Sequence, residues 1–278
     1  MELLVLGPVE ARRGASRVAL SGAKLHTVLA SLVLAGGSVV PDSRLRALLW
    51  DWDPPSTSGA QIYTYVSRIR NRLGPAVDIV REHHGYALHP APRTRIDAVQ
   101  FERLAARGED ALRSGRHETA AATLRAALRL WRGPALANAT EYLVAAEAAQ
   151  LEERRTAVLE SRIEADLARG LHRELVPELT GLIAQHTLRE RLRVQLMTAL
   201  YRADRQADAI AVYHDGRRAL SEELGIDPGP ALADAYQAII AGTVEQHHAV
   251  RTGARFGRCA HAVGVRHHAS PPVRRRRR

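Results

Sequence analysis

Ser56 to Gly74 reads STSGAQIYTYVSRIRNRLG, a polar start, an apolar stripe at helical spacing and a basic end. On a 3.6-residue period Ile62, Val66, Ile69 and Leu73 recur at i, i+4, i+7 and i+11, the pattern of a helix with one face on a domain core. Opposite that stripe lie Thr64, Ser67 and Asn71, with Arg68 beside them and Arg70 and Arg72 on the rims. Short hydrogen-bonding side chains of this kind allow close approach to a base edge or a phosphate. Ser58 and Gln61 have the spacing of a capping box, although Ser56 and Thr57 offer alternative caps, and Gly74-Pro75 marks the stop. An ordinary amphipathic surface helix accounts for the same pattern, so the flanking sequence has to decide.

Upstream, Glu2 to Glu10 and Val18 to Leu20 read as short strands around the polar segment from Arg12 to Arg17. Leu25, Val28, Leu29, Leu32 and Val33 then form a helical stripe ended by Gly36-Gly37. A shorter helix starts at Asp42 or Ser43, with Leu45, Leu48 and Leu49 inward. Downstream, Ile79-Val80, a polar tip from Arg81 to Gly85, and Tyr86 to Leu88 read as a hairpin. Three helices and a hairpin make a helix-turn-helix with a wing, whose third helix enters the DNA major groove. Thr64, Ser67, Arg68 and Asn71 would then face DNA, with Arg81 and His84 at the wing tip reaching phosphates. His83 and His84 as a metal pair are disfavoured, because adjacent hairpin residues point to opposite faces and no third ligand is in view.

From Ile96 onward the pattern is helical. Asp97 is placed to cap a helix carrying Phe101, Leu104 and Leu112, and Glu118 to Trp131 reads as a second with Leu124, Leu128 and Trp131 inward. A long helix is expected from Glu141 to Arg169, with others at Leu171 to His186, Leu188 to Ala203, Ala207 to Leu224 and Pro230 to Ile240. Turn signals at Gly170 and Asp204 lie 34 residues apart, the period of a tetratricopeptide-type hairpin, although a plain helical bundle fits as well.

The 278 residues suffice for one large domain or two ordinary ones, and aromatics at 4% leave the cores to Ala, Leu and Val. No apolar run approaches the ~20 residues of a membrane span, and the N-terminal ELLVLGPVE lacks the length and flanks of a signal peptide, so the expected location is the cytoplasm, with no membrane partner. The single cysteine, Cys259, excludes a disulfide or a cysteine-based zinc finger within one chain.

The net charge of +10 is unevenly placed. Residues 1–94 carry 11 basic and 7 acidic side chains, residues 95–245 carry 20 and 23, and residues 246–278 carry nine arginines and no acid. Because 39 of the 40 basic residues are arginine, the choice of Arg over Lys reflects coding bias, and only charge position is informative. No phosphate-binding glycine loop, HExxH or nucleophile elbow is present, so an enzyme is disfavoured and no cofactor or metal is expected.

Several stretches in order resemble the Streptomyces antibiotic regulatory protein family: VLGPVE, LRALLWDWDPPST, YVSRIRNRLG, HGYAL, LWRGPAL, RIEADLARG, LRERLRVQLMTALYR and SEELGIDPGPAL, across residues 1–241. The resemblance implies a mainly α chain: an OmpR-like winged helix-turn-helix with a small β-sheet and wing over 1–94, then an all-α tetratricopeptide-like bacterial transcriptional activator domain over 95–245. It implies an activator of secondary-metabolite genes that binds double-stranded DNA at direct repeats as a homodimer and recruits RNA polymerase through its sigma subunit. By position, the recognition helix falls on Ser56 to Leu73 and the wing on Ile79 to Leu88. The loop holding Asp51, Trp52 and Asp53 corresponds to a segment placed to meet polymerase. ATP control and aspartate phosphorylation are not implied, since neither a nucleotide-binding module nor a receiver domain accompanies these motifs. Residues 246–278 have no counterpart in the family and too little apolar content to fold. A sequence-independent attraction to DNA, a disordered extension and a shifted reading frame all remain open for them.

Overall fold

The N-terminal strands build a small sheet. In the computed structural model, which describes residues 1–243, β1 (Glu2–Leu4) pairs antiparallel with β2 (Glu10–Arg13) and β2 with β3 (Ser16–Arg17). β3 precedes the expected Val18 to Leu20 because the chain turns at Gly14-Ala15, where φ of Gly14 is 59°, and such a tight turn sets the strand register. β7 (Arg95–Ile96) adds parallel to β1, giving the order β3-β2-β1-β7.

Helix α1 (Ala23–Leu34) buries its expected stripe, and α2 (Asp42–Trp50) buries Leu45, Leu48 and Leu49. Helix α3 (Ser58–Leu73) buries Ile62, Val66, Ile69 and Leu73, so the stripe read from the sequence is the one that packs. Its capping box does not form. Ser58 already lies inside the helix and is buried, and the Gln61 side-chain amide donates to Thr57 Oγ1 (3.1 Å) instead of the two side chains closing on the backbone.

Strands β5 (Val77–Glu82) and β6 (Gly85–Pro90) form the wing hairpin, and β4 (Val40–Pro41), just ahead of α2, pairs with β6. Gly85 is required there, since a Cβ would sit 2.4 Å from the Val40 carbonyl oxygen. Register pairs Glu82 with Gly85, so the loop is only His83-His84 and Arg81 lies within a strand rather than at the tip.

The rest of the described residues are mainly helical: α4 (Asp97–Arg113), α5 (His117–Leu128), α6 (Glu141–Leu143), α7 (Ala149–Ala168), α8 (His172–Gln185), α9 (Glu190–Arg202), α10 (Gln206–Leu224) and α11 (Pro230–Ile240). Helix α5 stops three residues before Trp131, whose ring packs edge-on against Phe101 with centroids 5.6 Å apart. The expected long helix from Glu141 is interrupted by a π-helical turn at Val144–Ala148. α4 packs on α5, α5 on α7, α8 on α9, and α9 on α10 and α11, the succession of paired helices that the 34-residue spacing suggests.

The described residues form two hydrophobic cores. The first runs from Leu3 through α1, α2 and α3 into Phe101, Leu124, Leu136 and Val158, so residues on both sides of position 95 share it. The second gathers Ile163, Leu179, Leu196 and Leu232, and α7 contributes to both. Hydrogen bonds fasten the N-terminal segment to the helical part. The Asp97 carboxylate accepts from the buried N–H groups of Val5 (2.9 Å to each oxygen) and Leu6 (3.0 Å), besides that of Ala98 in its own helix (2.8 Å). Val9 N–H donates to Asn138 Oδ1 (2.6 Å), and Arg132 donates to the Pro8 carbonyl (2.8 Å). Burial pushes the Asp97 carboxyl above the usual carboxylate range, against the pull of these N–H groups and of Arg132. Among the described residues no helix is long and apolar enough to cross a membrane. The basic segment 246–278 lies outside them.

Candidate nucleic-acid interface

The surface of α3 follows from its buried stripe. With Ile62, Val66, Ile69 and Leu73 inward, Thr64, Arg68, Asn71 and Arg72 are exposed and Ser67 is half-buried. Thr64 Oγ1 donates to the Ala60 carbonyl (2.9 Å), which leaves its lone pairs outward as acceptors. Tyr63, which the sequence reading passed over, is 62% exposed on this surface. Its signal was available: Tyr63, Ser67 and Asn71 stand at i, i+4 and i+8, and Ala60, Thr64 and Arg68 form the parallel row. The exposed face thus joins a phenol, two short polar side chains and two guanidinium groups on a helix whose other face is packed.

Two candidate arginines have partners within the fold. Arg70 donates through Nε and Nη2 to the Ile79 carbonyl, with Nε 2.9 Å away, and ties α3 to β5. Arg81 makes a bidentate pair with Asp42, both contacts at 2.7 Å, and its guanidinium lies 4.6 Å from the Tyr86 ring centroid. The hydrogen bond to Asp42 is the main reason the Arg81 pKa rises above its ordinary value. This pair, together with the Asp42 N–H donating to the His84 carbonyl (2.7 Å), anchors the wing to the first turn of α2. His83 and His84 are exposed at the tip, and His83 has φ 33°.

The loop between α2 and α3 carries Asp51, Trp52 and Asp53, all exposed. Asp51 ends α2 with φ 57°, and Trp52 is 93% exposed, an aromatic surface of the kind that partner interfaces favour.

Residues 96–240 match the family model of the bacterial transcriptional activator domain, more than half of the chain. The chain is also 36% identical over 250 residues to the regulatory protein DnrI of Streptomyces peucetius, covering 86% of this chain and 92% of DnrI. It belongs to the Streptomyces antibiotic regulatory protein family. Members of this family are transcriptional regulators and not enzymes. The regulatory protein AfsR of Streptomyces coelicolor is 42% identical over 236 residues, which are 85% of this chain but 24% of AfsR, so the chain spans about a quarter of that relative's length. Among solved structures, Mycobacterium tuberculosis EmbR in complex with a low-affinity phosphopeptide superposes with a TM-score of 0.82 at 33% identity. That match covers 88% of this chain and 66% of EmbR, and EmbR likewise joins a winged helix-turn-helix to a helical domain.

Proposed function

We propose that this regulator is a cytoplasmic activator of a secondary-metabolite gene cluster, binding direct repeats at promoters through α3. Two protomers would occupy repeats about one helical turn apart, on one face of the DNA. The observation that carries the DNA reading is the face of α3 itself: Tyr63, Thr64, Arg68 and Asn71 stand exposed on a helix held by four buried aliphatic residues. A rigidly seated helix presents its side chains to a groove without first ordering them, which lowers the cost of binding. Thr64, Ser67, Arg68 and Asn71 would select bases, whereas Arg72 and His84 would contact phosphates. Arg70 and Arg81 are assigned first to holding the wing, with phosphate contact as a second use of their remaining donors.

The exposed Trp52 between Asp51 and Asp53 supports the α2–α3 loop as the surface that meets RNA polymerase, including its sigma subunit. Residues 1–94 would supply the DNA contacts and residues 95–245 the activator surface, with the shared core holding the two in one geometry. DNase footprinting on the gene's own promoter region is expected to protect paired repeats, and transcription with purified polymerase is expected to rise. Protection of nothing would replace this reading with a protein-interaction scaffold, and a fall in transcript would make the protein a repressor.

A further inference from the structure

A cleft of about 420 Å³ lies in the helical part, bounded by the start of α5, the last turns of α7 and one face of α9. This size falls in the range of about 300 to 1,000 Å³ usual for small-molecule pockets. Leu167, Ala168 and Val194 give it an apolar wall, and Thr198 adds a methyl group, because its hydroxyl donates to the Val194 carbonyl (2.8 Å).

Gln195 is the unusual member. It is 6% exposed, and its Nε2 donates to the Glu160 carbonyl (2.8 Å), which settles the orientation of the amide. Its Oε1 is then left buried with no hydrogen-bond partner among the described residues. Buried amide oxygens are almost always satisfied, so an orphan on a residue that borders a cleft points to a donor from outside the chain. Across the cleft His117 Nδ1 is also buried with no hydrogen-bond partner among the described residues. Of the three charged residues that line the cleft, Arg191 pairs with Glu164 (2.7 Å) and Arg202 is engaged within the protein, so none of them adds a demand for a charged ligand.

We propose that this cleft binds a small, uncharged, largely apolar molecule that donates an O–H or N–H hydrogen bond to Gln195 Oε1. His117 supplies a second polar contact from α5. The site is independent of the DNA-binding reading and is tested without DNA.

The probe pair is 2-naphthol and 2-methoxynaphthalene, alike in shape but differing in the donor, titrated into the full chain and followed by amide NMR. Naphthol is expected to shift His117, the Gln195 side-chain amide and Thr198, with the ether at least tenfold weaker. Gln195→Met is expected to remove that difference, and Thr198→Phe, which fills the cleft, to abolish binding while the thermal midpoint stays put. The comparison on the unaltered chain stands even where a variant fails to fold. Equal affinity for both probes, shifts confined to other regions, binding that survives Thr198→Phe, or no binding of naphthol up to its solubility would each overturn the proposal.

Discussion

Replacing Asp97 with alanine is expected to loosen the N-terminal strand from the helical part. Three backbone N–H groups end on this carboxylate, and the two from Val5 and Leu6 belong to residues 1% and 0% exposed. A buried donor left unsatisfied costs about 1 to 3 kcal/mol, whereas the Ala98 N–H at a helix start has access to water. Two stranded donors therefore amount to about 2 to 6 kcal/mol, and the middle of that span matches the cost of other broken buried networks. Asp97→Asn keeps one acceptor oxygen, so it is expected to cost about half as much. Hydrogen exchange reads the effect at the relevant amides. A loss of about 3 kcal/mol corresponds to exchange at Val5 and Leu6 more than about a hundredfold faster in Asp97→Ala, provided they exchange by local opening. Unchanged protection at both amides, or equal losses for the Ala and Asn variants, would refute the assignment of Asp97 as the clamp.

Glu10 lies 6% exposed, and its carboxyl is held below the usual range first by its hydrogen bond from Arg17 and then by Arg12 and Arg132, against the opposing effect of burial. A depressed folded-state pKa stabilises above the unfolded value and is lost as pH falls. Thermal midpoints of the parent and Glu10→Gln are thus expected to differ at neutral pH and to converge below about pH 4. Gly108→Ala should destabilise despite the better helix former: a Cβ there meets Leu124 Cγ at 2.5 Å, and an overpacking cost of about 1 to 3 kcal/mol outweighs a propensity gain of about 1 kcal/mol. Urea midpoints check this, and a rise would show that α4 and α5 separate easily. Asn71→Ala and Thr64→Val are expected to lose about 1 to 3 kcal/mol on cognate DNA and little on random DNA in gel shifts, and equal losses on both would reassign them to phosphate contacts. Arg81→Ala should weaken both DNAs alike and lower the salt slope by about one, and an unchanged slope would leave Arg81 with the Asp42 pair alone.

What was legible from sequence was local. Apolar spacing along α1, α2 and α3 names their buried faces, because helical periodicity repeats within a few residues and needs no partner to be read. The same spacing places Thr64, Arg68, Asn71 and Arg72 on the outside of α3. It also set the ends of α11 at Pro230 and Ile240, where Gly229-Pro230 pre-forms the first turn. The family motifs added the order of the two parts.

Tertiary structure decided whatever joins distant segments. Two-residue strands such as β4 and β7 are too short to carry a period and exist only because β6 and β1 are there to pair with them. Trp131 leaves its helix for a place against Phe101. Arg81 meets Asp42 across 39 residues, and Asp97 reaches Val5 across 92, although as the first residue of a helix it reads locally as a cap. The unsatisfied oxygen of Gln195 appears only once Glu160 has claimed the other end of the amide. In the α3 stretch itself, sequence determined which face turns outward, Tyr63 included, while the fold determined that Arg70 is tied to the wing, since a side chain's freedom depends on neighbours that local spacing does not encode.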